Sequence, residues 1–206
     1  MLPAKTIERL SQYRRTLLRS LEKGKLHIFS HELADLHNIT AVQVRRDIML
    51  IGYTGQLRKG YNIKKLIEAI GKIIDSKNCQ NIAIIGIGNL GKAITSYFNG
   101  KRSNLKITVA FDTNPDKVGK IISGVKCYHI NDLIEIIKEQ DISIGIITTP
   151  PDNAVDIAEK LTMAGIKGIL NFTTTPINVS PNVCLEEYDM VTSIEKLSYF
   201  IKNKNV

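Results

Sequence analysis

Three glycines and one acid carry the strongest chemical signal in the chain. Gly86-Ile87-Gly88-Asn89-Leu90-Gly91 spells GxGxxG, and Asp112 follows 21 residues after Gly91. The run joins an apolar stretch, "NIAIIGIG", to a helix-like one, "LGKAITSYFN", and Asp112 ends a second apolar stretch, "LKITVAFD". A strand, a glycine turn, a helix and an acid at the next strand end together form the dinucleotide-binding fingerprint. Gly86 permits the tight turn, and Gly88 lets the backbone approach a pyrophosphate at the positive helix end. Gly91 lets helix and strand pack closely. A carboxylate at Asp112 accepts hydrogen bonds from adenosine ribose hydroxyls and repels the extra phosphate of NADP. Lys117 would soften that repulsion, but Asp112 sits at the strand end itself, so the cofactor expected is NAD(H). For the glycines alone, an ordinary strand-to-helix turn is the competing reading.

"TTPP", Thr148 to Pro151, ends a later apolar strand at the carboxyl edge where open α/β sheets bind ligands. A hydroxyl of Thr148 or Thr149 would reach the nicotinamide end there, with Pro150 beside it. A plain strand-end turn with a helix-starting proline fits the same residues. "NFTTTP", Asn171 to Pro176, lies at a similar strand end.

A dehydrogenase also needs a group near the hydride position to polarise or protonate its substrate. His27, His31 and His37 fall in the first third of the chain, and His129 lies in a short strand that suits a structural histidine. No histidine follows Pro151, and little chain remains for a substrate domain. No catalytic residue is assigned, and sensing is favoured over turnover. Cys79, Cys127 and Cys184 are odd in number and far apart, which fits neither a disulfide framework nor a metal site.

Charge points to a second ligand. Residues 1–77 hold 15 Lys+Arg against 7 Asp+Glu, while the remainder holds 13 of each, so the whole net charge of +8 lies in the first segment. A segregated positive field attracts a polyanion, most commonly nucleic acid. Within this segment "TIERLSQYRRTLLRSLE" has helical apolar spacing and "FSHELADLHN" reads as a short helix with Ser30 as its cap. "TAVQVRRDIML" begins with Thr40 and has Gln43 three residues on, a capping box. Ala41, Val44 and Ile48 form one stripe of that helix, while Gln43, Arg46 and Leu50 fall on another, flanked by Arg45 and Met49. Helix, turn and capped second helix make a helix-turn-helix, whose Gln and Arg side chains match adenine and guanine edges in the major groove. "GYTGQLRKGYN" suits a β-hairpin wing that carries Arg58 and Lys59 to the DNA backbone. The DNA contacts expected are Gln43, Arg45, Arg46, Arg58 and Lys59.

The elements that position these groups fall into an α/β chain of three parts. Residues 1–77 form a winged helix-turn-helix domain. Residues 78–185 alternate continuous apolar strands with helices, as in a Rossmann-type parallel sheet covered on both faces. Residues 186–206 form a C-terminal helix whose apolar side, with Ile194, Leu197, Tyr199, Phe200 and Ile201, needs a surface to pack on. No apolar run reaches the ~18 residues of a membrane span. The start, "MLPAKTIERL", has no apolar signal core. A cytoplasmic protein without membrane association is expected.

With both halves in place, the chain resembles the Rex family of bacterial redox-sensing transcriptional repressors along nearly its full length. "ITAVQVRRDI" is similar to the family's recognition segment and "IGIGNLGKA" to its nucleotide loop. "AGIKGILNF" and the spacing from "RLSQYRR" onward also match. The resemblance implies a homodimer with the C-terminal helix swapped into the partner, bound to double-stranded operator DNA when NAD⁺ dominates and released when NADH rises. It also implies three switch residues. Arg15 matches an arginine near the domain junction, Asp189 an acid that pairs with it across subunits, and Tyr97 an aromatic near the nicotinamide that hydrogen-bonds the same acid. Three places depart from the family pattern: "GYTGQLRKGY" in the wing, "DIMLIG" at the helix end, and Met190 where phenylalanine is usual. Two other readings stay open on the residues alone. One is a small NAD-dependent oxidoreductase with an accessory basic domain. The other is a helix-turn-helix protein that senses NADP or a coenzyme A derivative.

Overall fold

The computed structural model describes residues 1–56, 58–76, 78–98 and 104–204. The chain divides into two compact units, Met1–Asp75 and Ser76–Val206. Lys77, at the end of the first domain expected from sequence, lies outside the described residues.

The first unit runs α1 (Ala4–Glu22), β1 (His27–Ile28), α2 (Ser30–Asp35), α3 (Ala41–Leu50), β2 (Tyr61–Asn62) and α4 (Ile63–Ile74). Its core is built from one stripe of each helix: Leu10, Tyr13 and Leu17 from α1, Leu33 from α2, Val44 and Ile48 from α3, and Ile63, Leu66 and Ile70 from α4. These follow the three- and four-residue spacing of helical faces. Asn38, with φ of 53°, supplies the left-handed residue that turns the chain from α2 to α3, a conformation asparagine tolerates better than branched residues.

Local details differ from expectation. Ser30 is the first residue of α2 and Phe29 its cap, and the Phe29 amide donates to Glu32 Oε2 at 2.8 Å. Thr40 does cap α3, accepting from the Gln43 amide at 3.2 Å, but the Gln43 side chain turns elsewhere, so only half of the capping box forms. The wing is a tight loop closed by Gln56 and Gly60, whose amides and carbonyls bond reciprocally at 2.9 and 2.8 Å. β2 leaves that loop and pairs antiparallel with β1, which had not been expected to be a strand.

The second unit runs β3 (Gln80–Ile85), α5 (Asn89–Phe98), β4 (Leu105–Asp112), β5 (Ile121–Ile122), β6 (Val125–His129), α6 (Leu133–Glu139), β7 (Ile142–Ile147), α7 (Ala154–Met163), β8 (Gly168–Asn171), β9 (Cys184–Glu187) and α8 (Met190–Lys204). One seven-stranded sheet has the order β5-β6-β4-β3-β7-β8-β9, parallel except for the β5–β6 pair. Successive side chains of a strand point to opposite faces. Ala83 and Ile85 accordingly join Phe111, Leu133, Ile157 and Leu161 on one side, and Ile82 and Ile84 join Ile107, Ala110 and Cys127 on the other. From β3 the chain first builds outward through β4 and β6, then returns to β7 and builds the other way. The strand order thus reverses at the β3–β7 pair, where open α/β sheets place their ligand crevice.

The helix expected to be capped by Asn131 is instead introduced by a 3₁₀ turn over Ile130–Asp132, where His129 Nδ1 accepts from the Asn131 amide at 3.2 Å. The strands β5 and β9 had no counterpart in the sequence reading. Among the described residues no helix is long and apolar enough to cross a membrane.

Candidate functional site

The two units each carry one candidate site. In the second, the crevice at the β3–β7 switch is a cleft of about 460 Å³. Gly86, Gly88, Asp112, Lys117, Thr148, Thr149, Pro150, Asn153, Asp156 and Lys160 are among its lining. The glycine loop is tied down from within. Gly86 has φ of 91°, where a side chain would be strained, and a Cβ there would also lie 2.8 Å from Thr149 Cγ2. A Cβ on Gly91 would sit on the Gly86 carbonyl oxygen, so the start of α5 packs directly on the loop. Gly88 differs, because apart from its immediate chain neighbours no atom of the described residues lies within 4 Å of its would-be Cβ. Its open side is the cradle a ligand backbone would fill.

Asp112 holds the far wall. Its Oδ2 accepts from the Ile87 amide at 3.0 Å and pairs with Lys117 Nζ at 2.8 Å, and its Oδ1 accepts from the Asn114 amide at 3.0 Å. Burial alone would push this carboxyl up, yet the Lys117 and backbone hydrogen bonds outweigh it and keep Asp112 below the usual carboxylate range. The Ile87 amide is thus spent on Asp112, and the Lys117 charge is already directed at the acid.

The two threonines separate into different roles. Thr148 Oγ1 donates to the Gly86 carbonyl at 2.7 Å, stapling the two strand ends together. Thr149 Oγ1 is buried at the cleft and has no hydrogen-bond partner among the described residues. An unpartnered buried hydroxyl is costly unless a ligand satisfies it. With the open Gly88 and the strand-end carboxylate, it fits a dinucleotide bound across the switch point.

Leu90 and Tyr97 are both exposed on α5, with Tyr97 two turns along the helix from Leu90. Asp189 lies just before α8 and accepts from the Val191 amide at 2.8 Å and from Thr192 Oγ1 at 2.6 Å, so it caps that helix. These bonds, the Thr192 hydroxyl first, hold its carboxyl below the usual range. Met190, Val191, Ile194, Leu197, Tyr199, Phe200 and Ile201 of α8 are all more than half exposed. Asp156 and Lys160, paired at 2.7 Å one turn apart on α7, were missed by sequence reasoning. Their position just after the "TTPP" strand end was the signal available.

In the first unit, Arg45 and Arg46 are exposed on α3, with Val42, Met49 and Leu50 around them. Arg45 Nη1 donates to Ser30 Oγ at 3.1 Å, which ties α3 to α2. Gln43 is only partly exposed, and its Nε2 donates to Asp47 Oδ1 at 2.9 Å. Asp47, which sequence reasoning passed over, is fully buried and also receives Arg9 and Tyr13. Burial would raise its carboxyl, but the bonds from Arg9, Tyr13 and Gln43 prevail and lower it. Burial, then the bond to Asp47, pushes the Tyr13 hydroxyl up. An acid on the Val44–Ile48 stripe of a basic helix was the visible clue. Arg58 and Lys59 are exposed on the wing loop. Arg15 is exposed on α1, while its neighbour Arg14 is buried, with Nη1 2.7 Å from both carboxylate oxygens of Asp75.

A family described as "CoA binding domain" matches residues 77–175, and one described as "Putative DNA-binding protein N-terminus" matches residues 1–48. A redox-sensing transcriptional repressor Rex of Listeria welshimeri is 36% identical over 202 residues, which span 98% of this chain and 94% of the relative. Its counterpart from Lactobacillus acidophilus is 35% identical over 203 residues, spanning 98% and 96%. The crystal structure of RSP in complex with β-NAD⁺ and operator DNA is similar to this one with a TM-score of 0.91 and 34% identity, covering all of this chain and 94% of that one. The structure of RSP with β-NADH has a TM-score of 0.87 and 33% identity, covering all of this chain and 96% of that one.

Proposed function

The chain belongs to the Rex family of redox-sensing transcriptional repressors, and from that premise we propose how its two sites work together. It is a transcriptional repressor rather than an oxidoreductase. It binds operator DNA through its first unit, binds NAD(H) through its second, and leaves the operator when NADH replaces NAD⁺. The observation that carries this reading is the conjunction within one chain of an α3 presenting Arg45 and Arg46 and a cleft with an open Gly88, a strand-end Asp112 and an unpartnered Thr149 hydroxyl.

In this reading Gly86, Ile87, Gly88, Asn89, Leu90 and Gly91 form the loop under the pyrophosphate. Asp112 takes the adenosine ribose, and Thr149 and Pro150 flank the nicotinamide. The two cofactor forms differ by one hydride and by the positive charge of the ring. Tyr97 and Asp189 register that difference in this reading, with Arg15 of the other subunit as the partner of Asp189. A ligand shifts a two-state protein only through differential contacts of this kind. On the DNA side Arg45 and Arg46 reach bases, Arg58 and Lys59 meet the backbone, and Gln43 contributes with its free oxygen while its amide nitrogen stays on Asp47. The exposed apolar side of α8 packs against a second copy, giving a homodimer that acts in the cytoplasm, where operator DNA resides.

The test is retention of duplex operator DNA in a gel while NADH is titrated against NAD⁺. Release by NADH at concentrations where NAD⁺ is inert is the expected result. Retention insensitive to NADH, with steady NADH oxidation in the presence of a carbonyl compound, would return the chain to the oxidoreductases.

A further inference from the structure

The helix α3 carries three large apolar side chains that its own unit does not bury. Val42 is 58% exposed, Met49 69% and Leu50 50%, whereas Val44 and Ile48 on the opposite side are fully covered. Positions 42, 45, 46, 49 and 50 follow the spacing of a single helical face, so Arg45 and Arg46 are interleaved with the three apolar residues, and all five line one shallow groove.

The charge of this face bears on what covers it. The one acid of α3, Asp47, lies on the buried side, committed to Arg9, Tyr13 and Gln43. The outward face therefore holds two cations and no carboxylate, which suits a polyanion. Of the base edges in a DNA major groove, guanine offers paired acceptors to an arginine, and thymine offers the one apolar group, its C5-methyl.

We propose that Val42 and Met49 are specificity-determining residues of this repressor, each packing on a thymine C5-methyl to either side of the bases met by Arg45 and Arg46. This rests on the reading of α3 as the recognition helix. Seven residues at 1.5 Å rise place the two side chains about 10 Å apart along the helix. A helix lying along the duplex axis would span roughly three base steps of 3.4 Å over that distance, and one inclined to the axis in the groove spans fewer. The operator half-site is thus expected to carry two thymines no more than about three steps apart, with guanine between them.

The test uses the full chain with NAD⁺ and the duplex it enriches most strongly from a random-sequence library. Each thymine is replaced in turn by deoxyuridine, which removes only the methyl. Two positions per half-site should each lose about fourfold in affinity, the worth of one buried methyl. Val42→Ala should abolish the sensitivity at one position and Met49→Ala at the other. Both residues are exposed, so neither variant disturbs the core. A deoxyuridine scan without effect, or alanine variants that keep full methyl sensitivity, overturns the proposal and assigns the face to another contact. Failure of the full chain to enrich or bind any duplex overturns it by a different route, because the reading of α3 as a recognition helix then fails as well.

Discussion

Arg9 closes on Asp47 from 38 residues away, with Nε 2.6 Å from Oδ2 and Nη2 2.8 Å from Oδ1. The pair joins α1 to the buried side of α3, and Tyr13 Oη at 2.9 Å and Gln43 Nε2 at 2.9 Å complete the shell of the carboxylate. The helix that presents Arg45 and Arg46 is thus aimed by an ion pair on its hidden face.

Removing one partner should therefore cost much more than a surface salt bridge does. Arg9→Ala leaves a fully buried carboxylate without its cation, and a loss of about 3 kcal/mol in unfolding free energy is expected. Urea denaturation of the first unit's transition measures it. A change below about 1 kcal/mol would place the pair among ordinary exposed bridges.

The same cluster sets an acid limit. Asp47 is held below its usual pKa in the fold and titrates near 3.9 when unfolded. In acid the unfolded state binds the proton more readily, so the stability Asp47 contributes is complete above about pH 4 and is lost as the pH falls through the folded value. Asp112, lowered in the same direction, adds a parallel loss in the second unit. Urea midpoints followed from pH 6 downward should fall less steeply in Asp47→Asn than in the parent.

The proposed role of Asp112 in cofactor choice, with the cation beside it, can be tested directly. Asp112→Ala removes a charged acceptor of ribose hydroxyls and should weaken NADH by tenfold or more, at about 1.5–3 kcal/mol for a hydrogen bond to a charged group. It should weaken NADPH less. Lys117→Ala leaves the acid without its 2.8 Å partner and should widen the preference for NADH over NADPH. Titrations of both dinucleotides followed by fluorescence decide it, and an unchanged ratio in both variants would remove Asp112 as the selector.

The unpartnered Thr149 hydroxyl gives a test that separates binding from folding. Thr149→Val keeps the shape and deletes the oxygen, so the unliganded protein should be as stable or slightly more so. NADH affinity should fall about fivefold, the worth of one neutral hydrogen bond. Equal losses of stability and affinity would make the residue structural only.

Asp189 can be tested with its capping role preserved. Asparagine caps a helix as well as aspartate does, so Asp189→Asn should leave α8 intact while removing the charge. The ratio of operator affinities with NAD⁺ and with NADH, typically 5- to 150-fold for a coupled site, should collapse toward one. A ratio equal to that of the parent would exclude the Asp189 charge from the switch.

What the residues determine alone is whatever depends on local pitch and local charge. The glycine loop with Asp112 at the next strand end, the Thr40 cap, the apolar stripes of α1 and α3, and the segregation of +8 into the first segment are all legible, because a helix or strand repeats over a few residues. Long-range pairing has no such period. Asp47 as common acceptor for Arg9 and Tyr13, the capture of the Gln43 amide, the pairing of β2 with the unexpected β1, and β9 on the sheet edge join residues far apart in the chain. The two hydroxyls of Thr148 and Thr149 are identical on paper. Only the packing of β7 beside the Gly86 turn hands one to a backbone carbonyl and leaves the other buried without a partner among the described residues, because a single residue's step along the strand end changes which groups lie within hydrogen-bond reach.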